Sequence, residues 1–311
     1  MRIRQTRRKL VRHSKSGYQA MLFEVAPPDH VVNVASVPQR SPFRYPGGKT
    51  WLVPRVRQWL TNLGFQPGVF VEPFAGGAIV GLTVGFEELA DHVVLVELDK
   101  HVAAVWKTIL SDDADWLANR IISFELTQEN VLAELAKDDA KTRELAFRTI
   151  LKNRTFHGGI MAPGASFVKR GENGKGLCSR WYPITLARRI LAIAAIRDRF
   201  TFVEGNGIEV MTRYARRKNA AFFLDPPYTA GGANGKHAGA RLYTHHALDH
   251  ERLFATAACV AGEVLLTYDQ APDVLQLAES HGFQVRKIAM KNTHHAKMME
   301  FLIGRDLSWL R

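Results

Sequence analysis

The sequence predicts an α/β fold with an open sheet of the nucleotide-binding kind, and three observations carry that expectation. Val69-Phe70-Val71 is a short apolar strand that runs into a glycine-bearing turn and then an apolar helix start. A second apolar strand, Val93-Val94-Leu95-Val96, ends in Glu97-Leu98-Asp99. A third apolar run, Ala220-Ala221-Phe222-Phe223-Leu224, stops abruptly at Asp225-Pro226-Pro227-Tyr228. Prolines lack a backbone N–H and fix φ, so that strand must end at Asp225. In an open α/β sheet ligands bind at the carboxyl ends of the strands, so all three punctuated ends point to one cleft.

A chain of 311 residues can bury a large α/β core with an insertion, or form two domains. Its 46% hydrophobic and 23% charged content is that of an ordinary globular protein, and no apolar run approaches the ~20 residues of a membrane span. The Arg-rich start is not followed by a signal-peptide core, which argues for a cytoplasmic, nucleoid-associated protein. Cys178 and Cys259 stand far apart and match no metal spacing; both are expected to be structural thiols in a reducing compartment. The histidines likewise show no metal-ligand spacing, so no metal is expected.

The net charge of +12 calls for a polyanionic partner. Residues 2–15 carry seven Lys/Arg and no acid, while residues 152–180 carry six against Glu172 alone; residues 111–144 lean acidic. Residues 1–40, punctuated by Pro27-Pro28 and Pro38, read as a basic N-terminal arm.

Along the chain, Arg44-Tyr45-Pro46-Gly47-Gly48-Lys49 precedes an amphipathic run from Trp51 to Leu60. The glycine pair allows close backbone approach to a ligand, and a helix beginning just after it points N–H groups back at that place. The upstream glycine of a phosphate-binding P-loop is missing. The turn Glu72-Pro73-Phe74-Ala75-Gly76-Gly77-Ala78 lacks the G-x-G-x-x-G of dinucleotide sites. Glu72 within it would repel a phosphate but accept from a cationic amino group. A ligand with an adenosine and a positive end fits, and S-adenosylmethionine has both. Glu97, about 20 residues past the glycine turn, is placed to accept both ribose hydroxyls. Asp225, the Pro226 carbonyl and Tyr228 suit an exocyclic amine: two oxygens for its N–H hydrogens and a ring to stack its base.

These stretches resemble the Dam-like, D12-class DNA adenine-N6 methyltransferases. The matching pieces are RYPGGK at 44–49, VEPFAGGA at 71–78, VELDK at 96–100 and LDPPY at 224–228, followed by LYTHHALDHERL at 242–253, LLTYDQAP at 265–272 and MMEFLIGRDL at 298–307. The resemblance implies a Rossmann-like S-adenosylmethionine-dependent methyltransferase sheet, mostly parallel with one antiparallel strand near the edge. It implies a catalytic domain of residues 41–110 plus 200–311 and a mainly helical target-recognition insertion at 111–199, with double-stranded DNA as substrate. Asp225, Pro226, Pro227 and Tyr228 would be catalytic. Tyr45, Gly47, Gly48, Lys49, Glu72, Phe74, Gly76, Gly77, Glu97 and Asp225 would bind the cofactor. Tyr45 stands where Trp is frequent in the family, Glu97 where Asp is commoner, and Ala78 where glycine is often found.

In the middle region, residues 126–151 read as an amphipathic helix, and Ala187 to Arg199 as the helix that returns to the catalytic domain. Leu151 to Gly159 resembles the family's "LNRT-F-G" segment, and an Asn-Gly turn signal follows at 173–174. Arg44, Asn153, Arg154, Lys169, Arg170 and Lys175 are the expected DNA contacts, on phosphates and base edges. The chain is expected to act as a monomer or weak dimer, in restriction–modification, host regulation or phage protection. Cytosine-N4 methylation, RNA adenine methylation and a non-catalytic DNA-binding module are the alternatives.

Overall fold

In the computed structural model the described residues are 34–44, 47–138, 141–159, 166–168, 171, 174–227, 248–291 and 297–310. Residues 1–33 of the basic arm, Tyr45, Lys169, Arg170 and Tyr228 lie outside them. The apolar runs form parallel strands β1 (Val69–Glu72), β2 (Val93–Glu97), β3 (Phe200–Glu204) and β4 (Ala220–Leu224). They continue into β5 (Glu263–Tyr268), β6 (Gln284–Lys291) and β7 (Lys297–Gly304), in the order β3-β2-β1-β4-β5-β7-β6. Strand β7 is antiparallel to both β5 and β6, so among the described residues it is the one reversed strand, next to the edge. The sheet is thus the Rossmann-like arrangement expected.

Side chains alternate across a strand, and the two faces can be read from the two cores. Phe70, Leu95, Phe223, Leu265 and Leu302 enter one core. Val71, Val94, Phe222, Leu266 and Ile303 enter the other. Counting by two from the first set places Glu72, Glu97, Asp225, Thr267 and Glu300 on that same face, at the carboxyl edge of the parallel strands. Four acids and a hydroxyl from five different strands therefore share one rim.

The first face carries α1 (Val53–Asn62), α2 (Ile79–Phe86), α3 (Lys100–Ile109), α4 (Ala114–Ser123), α5 (Gln128–Leu135), α6 (Thr142–Thr155) and α7 (Pro183–Ala194). The second face carries α8 (Gly207–Tyr214), α9 (His250–Cys259) and α10 (Pro272–Ser280). None of these helices is long and apolar enough to cross a membrane. Among the described residues the β2–β3 crossover, 111–199, shares its core with the sheet: Leu117, Ile121, Phe147, Ile150, Leu151 and Ile190 join Trp106, Ile109 and the α1–α2 side chains in one cluster. The helix expected over 126–151 is two helices, because Thr127 caps α5 by accepting from the Asn130 N–H and α5 stops before Lys137-Asp138. Helix α7 begins earlier than expected, with Pro183 in its first turn, where a missing N–H costs nothing. Cys178 and Cys259 are free and exposed, so neither is the packed thiol the sequence suggested.

The crossover also holds a strap whose described residues are 41–44 and 47–49. Arg189 Nη1 donates to the Ser41 carbonyl (3.0 Å) and Arg154 Nε to the Pro42 carbonyl (3.1 Å). Asn153, fully buried, accepts from the Arg44 N–H (2.9 Å) and donates to the carbonyls of Arg44 (3.0 Å) and Gly159 (2.9 Å). This corrects the sequence expectation for Asn153 and Arg154. Both lie on the inner face of α6, and their polar atoms hold the strap instead of facing a nucleic acid.

Candidate active site

The turn between β1 and α2 is fixed from both sides. Gly76 N–H donates to Glu97 Oε2 (2.9 Å), and the Gly76 carbonyl accepts from Trp106 Nε1–H (2.9 Å), a buried indole of α3. Gly76 has φ +46°, a left-handed conformation cheap only for glycine. Ala78, at the start of α2, also has a left-handed φ, +49°. A side chain there carries the strain that glycine would avoid. Ala78→Gly is expected to raise stability by about 0.5–1 kcal/mol, since the relief of left-handed strain exceeds the added chain entropy. A thermal melt of the two proteins checks it.

Glu97 ends β2 with its carboxylate turned back onto backbone. Besides Gly76, it accepts from the N–H groups of Leu98 (2.8 Å) and Asp99 (2.9 Å). Burial, with Asp99 beside it, pushes its pKa up to about 7 against the pull of those donors. Glu72 is buried at the end of β1 and accepts from Gly81 N–H in the first turn of α2 (2.8 Å). Burial first, and then the charge of Asp225, hold its carboxyl well above the ordinary carboxylate range.

Asp225 stands just past the end of β4. The register Leu224↔Leu266 sets Thr267 of β5 beside it, and Thr267 Oγ1 donates to Asp225 Oδ1 (3.0 Å). Lys49, at the end of the strap, lies 2.9 Å from the same oxygen and 3.7 Å from Glu300 Oε2 of β7, and donates to the Gly47 carbonyl (2.9 Å). Burial works against the Lys49 ammonium, but the two carboxylates overcome it and raise its pKa.

Lys49, Glu72, Gly76, Glu97 and Asp225 open on one cavity of about 320 Å³. Its walls include Arg44, Gly47, Gly48 and Lys49 of the strap, Glu72 through Ile79, Glu97 through Asp99, Gly205-Asn206-Gly207, and Asp225 with Pro227. The structure thus brings together the expected residues of the two glycine turns, Glu97 and Asp225. Pro226, between Asp225 and Pro227, is buried. Lys175 is exposed on the crossover, away from the cavity lining.

The Gly205-Asn206-Gly207 turn, Asp99, Thr267 and Glu300 were missed by sequence reasoning. A signal existed for the first: a glycine pair around Asn after the apolar stretch 200–203. Asn206 caps α8, accepting from Ile208 N–H (2.9 Å), and a Cβ on Gly207 would lie 2.2 Å from the Pro73 carbonyl oxygen. That turn can therefore close against the β1 turn only with glycine.

A family model, the D12 class N6 adenine-specific DNA methyltransferases, matches residues 45–261, more than half of the chain. The chain belongs to this family. As a D12-class methyltransferase it uses S-adenosylmethionine as methyl donor, and the lining fits that cofactor. Four acids (Glu72, Glu97, Asp99, Asp225) face two cations (Arg44, Lys49), one of them already held by Asp225, which suits a sulfonium and ammonium and disfavours a phosphate. No curated protein matches the chain. Among solved structures it is similar to a putative RNA methyltransferase from Pyrococcus horikoshii, at 12% identity and TM-score 0.39 over 87% of this chain and 92% of that one. It is also similar to a putative methyltransferase from Escherichia coli, at 11% identity and TM-score 0.34 over 87% and 91%. Likenesses of this order bear on neither substrate nor mechanism. Among the described residues no group of three His, Cys, Asp or Glu side chains could hold a metal ion.

Proposed function

We propose that this methyltransferase transfers the methyl group of S-adenosylmethionine to the N6 amino group of an adenine flipped out of duplex DNA. One observation carries the reading: the Asp225 carboxylate stands at the open edge of the sheet, on the rim of the cavity formed by the glycine turn and the strap. Gly47, Gly48, Lys49, Glu72, Phe74, Gly76, Gly77 and Glu97 would hold the cofactor, with Tyr45 beside them. Glu72 would take the cationic amino group and Glu97 the ribose. When bound, the cofactor supplies an electrophilic methyl group on a sulfonium.

The chain's own contribution is position and electrostatics. An adenine inside a duplex cannot reach the cavity, so it must be extruded at a cost of a few kcal/mol of unstacking. Tyr228 would stack on the extruded ring. Asp225 and the Pro226 carbonyl would accept the two N6 hydrogens, drawing the lone pair out of conjugation and aiming it at the methyl carbon. Pro227 keeps that corner rigid. Once N6 has taken the methyl group, Asp225 and the Pro226 carbonyl would receive its surplus proton.

The basic face supports a polyanionic substrate. The chain carries a net charge of +12, which suits a nucleic-acid backbone. Arg44 and Lys175, with Lys169 and Arg170, would meet the DNA backbone. Transfer of labelled methyl groups to duplex DNA and to RNA in parallel separates the substrate classes: label in duplex DNA is expected, and label confined to RNA would refute the DNA reading.

The raised carboxyls give the reading a pH signature. Glu72 is neutral over part of the range in which an ordinary carboxylate is ionised, and a cation binds the ionised form. Binding of S-adenosylmethionine should therefore release a proton and tighten as pH rises through the range in which Glu72 ionises. Titration calorimetry in buffers of different ionisation enthalpy measures that release, and Glu72→Gln should abolish most of it.

A further inference from the structure

We propose that Glu300 is a positioning residue for methyl transfer, sharing the Lys49 ammonium with Asp225 so that the amine-accepting corner keeps a net negative charge. The inference rests on the reading above, and it extends the site to β7, beyond the residues the family model matches.

The geometry is that of one ammonium between two carboxylates. Lys49 is buried, 2.9 Å from Asp225 Oδ1 and 3.7 Å from Glu300 Oε2, and the Glu300 side chain is only 13% exposed. Three separate parts of the chain supply the three groups: the strap after Gly48, the end of β4 and the middle of β7. Pairing of Tyr268 with Phe301 fixes β7 against β5, so Glu300 projects from the same sheet face as Thr267 and Asp225.

With Asp225 alone, Lys49 would make a neutral pair. A neutral pair offers little to an attacking nitrogen that gains positive charge as its bond to carbon forms. The second carboxylate divides the ammonium's charge, so the three groups together carry one negative charge on a largely buried rim, where it acts more strongly than in open water. Glu300 also keeps Lys49 protonated against burial, and so keeps it in place against Asp225. Among the described residues, the titratable groups that feel the Asp225 charge include Glu72 on β1 and Tyr268 on the opposite face of β5. The Tyr268 hydroxyl is hydrogen-bonded to His250 (3.0 Å). None of them replaces the Glu300 charge, because the buried Glu72 carboxyl is raised and the Tyr268 hydroxyl is neutral at working pH.

The test has two arms on the whole chain, using Glu300→Gln and Glu300→Asp. In the cofactor-free protein, the ¹³Cε shift of Lys49, assigned by its loss in Lys49→Arg, should stay flat from pH 7 to 10 in the wild type and in Glu300→Asp. In Glu300→Gln its titration should enter that window. In the second arm, Glu300→Gln should lower kcat about tenfold, less than the ~10²–10³ of a direct contact. The KM for S-adenosylmethionine should be unchanged, and the alkaline limb of the rate profile should move to lower pH. Glu300→Asp should recover most of the rate. An unmoved Lys49 titration in Glu300→Gln overturns the shared-ammonium arrangement. A moved titration with an unmoved kcat overturns the positioning role. A wild-type protein that transfers no methyl group to DNA refutes the broader reading and leaves the first arm intact.

Discussion

Asp225→Asn is expected to reduce methyl transfer at least ~10²-fold, because it removes the charge that accepts the amine hydrogens at the moment the nitrogen becomes positive. Asn is nearly isosteric, and its amide oxygen still accepts from Thr267, so the fold and most duplex binding should survive. Lys49 keeps Glu300 as a partner, which limits the cost of leaving a buried cation short of a carboxylate. Single-turnover rates with labelled cofactor, beside DNA binding measured by gel shift, separate the two effects. Equal losses in both would mean that Asp225 acts mainly in holding the structure.

Asn153→Ala should produce the largest loss of stability among single substitutions near the site, about 3 kcal/mol. It leaves the Arg44 N–H and the carbonyls of Arg44 and Gly159 without their partner in a buried place. The strap lines the cavity, so affinity for S-adenosylmethionine should fall with stability. Thermal unfolding and titration calorimetry on one preparation give both numbers. An unchanged melting temperature together with a specific loss of DNA binding would reinstate Asn153 as a nucleic-acid contact.

The strands were legible because each ends in a residue that cannot continue it. Prolines stop β4, a glycine turn stops β1, and Glu97-Leu98-Asp99 stops β2. The acid-rich rim was half legible. Glu72, Glu97 and Asp225 each follow an apolar strand, but Thr267 and Glu300 sit inside strands whose partners are distant in sequence. Only the register β4–β5–β7 brings them to Asp225.

The crossover was harder to read. Arg154 and Asn153 read as DNA contacts because their side chains are polar, although the spacing in α6 said otherwise. Ala146, Phe147, Ile150 and Leu151 define its buried side, and 153 and 154 continue that side by one more turn. A polar residue on an apolar helix face holds backbone more readily than it meets a ligand, since buried polar groups must be paired. The cysteines misled in the opposite sense: both stand exposed, and nothing in their local sequence distinguishes that from burial.

The central claim is the identity of the methylated atom. Duplex DNA incubated with the protein and S-adenosylmethionine, digested to nucleosides and resolved by mass spectrometry, tests it most directly. Membership of the adenine-N6 family, with Asp225 at the sheet edge, predicts N6-methyladenine, absent from the Asp225→Asn reaction. N4-methylcytosine in its place, or N6-methyladenine formed equally well by Asp225→Asn, would contradict it.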